Sequence, residues 1–200
     1  SRCLPGVRFA AASAFALAAA GAAIGADPAV QVIDRAQAVA LPEARDAGDA
    51  GSADEKFPQG VPSNTVKLPD DWALTQPNHD GAVWYRIAFD VPSGTDPNQV
   101  LALYIERACS DVEVHLNGRR INGPQRPVEH AARRCAYPQS VTFPAAGLLP
   151  QGNVVDLRVQ GHALQRVAAR QRAAGLSALK IGPGGVLLAE QARRTFWSIS

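Results

Sequence analysis

Apolar side chains recur at every second position through much of the chain beyond Val66, the period that turns one face of a β-strand toward a core. Over residues 83–91, Val83, Tyr85, Ile87, Phe89 and Val91 share one face, and Trp84, Arg86, Ala88 and Asp90 take the other. Leu101, Leu103 and Ile105 alternate with Ala102, Tyr104 and Glu106. Val112, Val114 and Leu116 alternate with Glu113, His115 and Asn117, and Val155, Leu157 and Val159 with Asp156, Arg158 and Gln160. One apolar and one polar face per strand is the pattern of antiparallel sheets that bury a single side. Asn117-Gly118 joins two such runs and supplies the positive φ angles of a two-residue hairpin turn. Pro92–Pro97, Pro144–Gly147 and Gly182–Gly185 punctuate the others as turns. The pattern predicts an all-β fold, an antiparallel β-sandwich of jelly-roll type. One stretch, His162–Ala174, has helix-favouring residues with Gly175 as an end signal, and predicts a short helical insert or long loop between strands.

Ahead of Val66 the character differs. Residues 43–64 are small, acidic and turn-forming, a flexible linker that has too little apolar area to offset the cost of ordering. Residues 27–42 are Ala-rich and read as an arm or first strand. At the N-terminus, Arg2 and Arg8 precede an uncharged run from Phe9 to Ile24, closed by Gly25-Ala26 before Asp27-Pro28. That is a secretory signal peptide, with cleavage expected near Ala26, and the run is short for a membrane span. The expected organisation is therefore 1–26 signal peptide, 27–65 arm and linker, and 66–197 binding domain.

Export changes how the cysteines read. Cys3 leaves with the signal peptide, and Cys109 and Cys135 remain for a disulfide in an oxidising compartment, with two buried thiols as the alternative. The bridge would close a loop of about 27 residues and contribute on the order of 3 kcal/mol. The balance of 20 basic and 18 acidic residues, net +2, argues against a nucleic-acid partner. The sequence contains no Met, so a fragment of a longer product is expected.

Several segments then fall into a known order. Leu68-Pro-Asp-Asp-Trp72 is followed by Gly81-Ala-Val-Trp-Tyr-Arg-Ile-Ala-Phe-Asp-Val-Pro92, Leu103-Tyr-Ile-Glu-Arg107 and Val112-Glu-Val-His-Leu-Asn-Gly118. Pro138-Gln139, Leu148–Val159, Gly175-Leu176, Ile181-Gly-Pro183 and Arg193-Arg-Thr-Phe-Trp197 come after. Over about residues 66–197 this order resembles the periplasmic, galactose-binding-domain-like jelly roll of bacterial membrane sensor histidine kinases and diguanylate cyclases. It is also similar to the sugar-binding jelly roll that precedes the barrel of family 2 glycoside hydrolases. The first resemblance implies a periplasmic, non-catalytic sensing domain for a ligand or partner, tethered to the inner membrane by a segment beyond residue 200, with the signalling output further on. The second implies a carbohydrate-binding accessory domain. A structural protein-interaction module is the third reading.

The residues themselves offer no catalytic constellation. His79, His115, His130 and His162 lack the spacing of a metal pair, no nucleophile elbow occurs, and Gly182–Gly185 lacks the Lys-Ser/Thr of a phosphate loop. No enzyme activity, cofactor or metal is expected of this segment. The candidate ligand-binding residues are Trp72 and Trp84, whose rings would stack on a sugar, and Glu106, Arg107, Asp111 and Arg133, which flank the two cysteines. Against these stand plainer roles: packing for the aromatics, with Tyr85 in the core and Trp84 under a loop or the N-terminal arm, and surface ion pairs for the charges.

Overall fold

A computed structural model of the chain describes residues 30–42, 56–108, 112–123, 138–167 and 174–199, with backbone only for 197–199. In chain order these form β1 (Gln31–Ile33), β2 (Arg35–Pro42), β3 (Asn64–Lys67), β4 (Asp70–Asp71), α1 (Trp72–Thr75), β5 (Gly81–Phe89) and β6 (Val100–Ile105). Then follow β7 (Val112–Leu116), β8 (Arg119–Asn122), β9 (Gln139–Pro144), β10 (Asn153–Gly161), β11 (Gly175–Leu176), β12 (Leu179–Pro183) and α2 (Gly184–Ile199). Among the described residues the strands make a six-stranded sheet, β3-β2-β5-β10-β7-β8, a four-stranded sheet, β1-β12-β6-β9, and a small β11-β4 pair. Every strand pairing is antiparallel.

The alternation places the core as expected. Val83, Tyr85, Ile87, Phe89, Val112, Val114, Val155, Leu157 and Val159 of the larger sheet meet Leu101, Leu103, Ile105, Val141, Phe143, Leu179 and Ile181 of the smaller one in a single apolar cluster. The chain is thus an antiparallel β-sandwich. Asn117 and Gly118 adopt φ of +50° and +80° and turn β7 directly into β8, as the Asn-Gly pair requires.

The Ala-rich arm belongs to the sandwich. β1 pairs with β12 in one sheet and β2 with β5 in the other, so the chain crosses between sheets at Asp34. Gly182–Gly185, expected as a turn, is instead a strand-to-helix junction. Gly182 and Pro183 pair with Ala102 and Leu101 in β12, and Gly184-Gly185 open α2. A Cβ on Gly184 would come within 3.0 Å of the Val100 carbonyl oxygen, so this glycine serves close packing. In the 162–174 stretch the described part is a 3-10 turn at Leu164–Arg166. No helix among the described residues is long and apolar enough to cross a membrane.

Candidate binding face

Among the described residues, the sequence-derived candidates do not converge on one place. Trp72 is fully buried and its indole Nε1–H donates to Tyr85 Oη at 2.7 Å. Tyr85 in turn donates to Asp70 Oδ2 at 2.6 Å, and Thr75 Oγ1 donates to Asp70 Oδ1 at 2.6 Å. Burial first, and the Asp70 carboxylate second, push the Tyr85 phenol far above its ordinary range, so it stays a neutral donor. Gly161 exists for this corner: a Cβ there would lie 2.3 Å from the Trp72 ring. Trp72 is therefore a core residue closed off from any ligand, and Tyr85 is in the core as expected. Glu106 pairs with Arg194 on α2, with both side chains nearly half exposed. The Arg107 backbone exchanges hydrogen bonds with Ser177. Cys109, Asp111, Arg133 and Cys135 lie outside the described residues.

Trp84 leads elsewhere. It stands on the outer face of the six-stranded sheet, and the strand register lays that face out in two rows. One runs Gln37, Arg86, Asp156, His115, Arg120 across β2, β5, β10, β7 and β8. The next runs Val39, Trp84, Arg158, Glu113. Alternation of strand side chains puts all of them on the side away from the core. Arg86 grips Asp156 with two bonds, Nε–Oδ1 at 2.7 Å and Nη2–Oδ2 at 2.8 Å. The Asp156 hydrogen bond, against some desolvation, holds Arg86 charged beyond its ordinary range. Arg158 Nη1 lies 3.5 Å from Glu113 Oε1, and His115 Nε2 lies 3.7 Å from Glu113 Oε2. His115, chiefly, with Arg158 and Arg120 adding, holds Glu113 below the usual carboxylate range although burial opposes this.

The layering has a chemical consequence. Asp156, Glu113 and His115 are each under a tenth exposed, and His115 Nε2 has no hydrogen-bond partner among the described residues. Arg86, Arg158 and Arg120 lie over them and are half-buried. Acceptors thus lie beneath and guanidinium donors at the surface. Phe57 completes the face: its ring lies on the Arg86 guanidinium, 4.0 Å from Cζ to centroid, and meets Trp84 edge-on at 6.4 Å. Trp84 also contacts the His115 ring at 5.4 Å. Sequence reading placed Glu113, His115, Asp156 and Arg158 on polar strand faces but did not join them, because their adjacency depends on β5, β10 and β7 being neighbours. Phe57 was missed within the linker; its signal was a lone aromatic among small and polar residues.

Neither a protein-family model nor a curated protein matches the sequence. Among solved structures the fold is similar to a GH2 β-galacturonidase from Eisenbergiella tayi bound to galacturonate, at TM-score 0.50 and 9% identity, over 78% of this chain and 24% of that one. It is also similar to a β-glucuronidase from an uncultured Clostridium sp., at TM-score 0.50 and 16% identity, over 78% of this chain and 29% of that one. The chain spans about a quarter of the length of these enzymes. At these identities the likeness establishes the β-sandwich fold.

Proposed function

We propose that this chain is a non-catalytic binding module for carbohydrate, and that the outer face of the six-stranded sheet is where the saccharide sits. The observation that carries the reading is the double row of Arg86, Asp156, His115, Arg158 and Glu113 beside Trp84. Sugar hydroxyls both donate and accept, so a recognising surface mixes guanidinium with carboxylate and imidazole, and an aromatic ring serves the apolar face of the pyranose. The fold shared with segments of GH2 enzymes supports the same ligand class. Because guanidinium groups form the outer layer, an acidic sugar is the favoured ligand, its carboxylate drawn by their positive charge.

Isothermal titration of the full chain against D-galacturonate, D-glucuronate and their oligomers, with neutral sugars alongside, tests this. Heats for the acidic set that shrink with added salt and vanish in Arg158→Ala are expected. Silence across the panel would sink the carbohydrate reading.

A second reading, the periplasmic sensor, uses the same module and is favoured by one observation. α2 buries Leu187 against Ala102 and Tyr104 of the four-stranded sheet, and its later turns are fastened by Lys180–Glu190 at 2.7 Å, Arg194–Glu106, and Gln191 Nε2 donating to the Pro138 carbonyl. Turns held by polar contacts are suited to pass on a binding event. Amide exchange in α2 that changes on saccharide addition would support the sensor; indifference of α2 would favour the accessory-module reading.

A further inference from the structure

We propose that Trp84 and Arg86 form a ring-binding subsite for the saccharide, and that Phe57 is its resident, displaceable occupant; this rests on the carbohydrate reading above. Between residues 56 and 65 Phe57 is the one buried residue, and its neighbours Lys56, Gln59, Gly60, Val61, Pro62 and Ser63 are exposed. Gln59 Nε2 donates to the Phe57 carbonyl, and beyond Gly60 the Ser63 Oγ donates to Gln37 Oε1 on β2. A single aromatic anchor thus pins an exposed strap to the face.

Where the anchor lands matters. Phe57 is outside the main core and joins a separate cluster with Val39, Trp84 and Leu41. Its ring takes the guanidinium of Arg86 on its face and Trp84 at its edge. The cation holds the Phe57 π face and the indole meets its edge, so the ring fills the space over Trp84 and Arg86. A pyranose in the same space would lay its apolar C–H face on the Trp84 ring and turn hydroxyls or a carboxylate toward the guanidinium layer above Asp156 and His115. Gly60, at φ +73° with open space around its Cα, and the direct run into β3 give the strap a turn about which to lift.

The consequence is competition. A site closed for most of the time binds with an apparent affinity reduced by the open fraction. Phe57→Ala should keep the wild-type far-ultraviolet spectrum, expose the Trp84 indole to solvent exchange, and bind D-galacturonate oligomers at least about tenfold more tightly than wild type. The Trp84 indole signal is assigned by its loss in Trp84→Phe. In wild-type protein, saturating saccharide should raise amide exchange over residues 56–63.

Wild type and Phe57→Ala binding equally, with strap exchange unchanged on saturation, would overturn the occupant while leaving the carbohydrate reading intact. If Trp84 is exposed in Phe57→Ala yet neither protein binds any saccharide, the carbohydrate reading falls and the subsite with it. If Phe57→Ala does not fold, Phe57 is core, and increased strap exchange in liganded wild type is then required to keep the proposal.

Discussion

Arg86 and Asp156 meet with both bonds of a guanidinium–carboxylate fork formed, and Asp156 is 3% exposed. Removing the arginine leaves a buried charge uncompensated. Arg86→Ala should cost ~2–3 kcal/mol in urea unfolding, below the full penalty for a buried pair because the Arg86 side chain is 35% exposed. Arg86→Lys should recover less than half, since a point charge does not replace the fork. Glu113 gives a pH signature. Its folded value lies below its unfolded one, so its stabilising contribution is full above about pH 4.3 and lost as pH falls through the lowered folded value. Thermal melts between neutral and acid pH should show that loss, and Glu113→Gln should remove its share. Of these residues, the sequence pattern placed each on a polar strand face. It gave no sign of Phe57 against Arg86, because a lone aromatic in a stretch without period has no partner until the chain folds back.

At the scale of elements, the side chains of two asparagines join two segments that lie far apart in the chain. Asn153 is fully buried, accepts from Asn117 Nδ2 and the Leu149 backbone N–H, and donates to the Leu149 carbonyl, while Asn117 Oδ1 accepts from the Val154 N–H. The Leu116-Asn-Gly118 turn and the Gly152-Asn153 strand start are one staple. Asn153→Ala should cost ~2–3 kcal/mol by orphaning buried polar groups, measured by denaturant unfolding. The hairpin was readable from Asn-Gly alone; α2 was not. Its covered positions are Leu187 and then Glu190, Gln191 and Thr195, so no apolar 3.6-residue period exists to read, and two glycines open it. Glu190→Gln should speed amide exchange in the later turns of α2 while changing global stability by only ~0.5–1 kcal/mol.

For the whole molecule, alternation sufficed to foresee two facing sheets, since each apolar set from Val83 to Ile181 found the same core. Strand order was not readable, because the neighbours of β5 are β2 and β10, far apart in the chain. The Ala-rich stretch hid two strands for a simple reason: alanine's small side chain gives a weak alternation signal, although Ala36 and Ala38 do face the core. The proposed export of the chain makes a bond between Cys109 and Cys135 the matching expectation at this scale: both thiols should resist alkylation in denaturant until a reductant is added. The account's central claim is that the recognition surface is the outer face of the larger sheet. Its most direct test is an amide and indole chemical-shift titration of the full chain with D-galacturonate oligomers. Shifts are predicted along Val39, Trp84, Arg86, Asp156, Arg158, Glu113 and His115, with the Trp84 indole among the largest. Shifts confined to the loops around Asp80 and His162, or to α2, would contradict it.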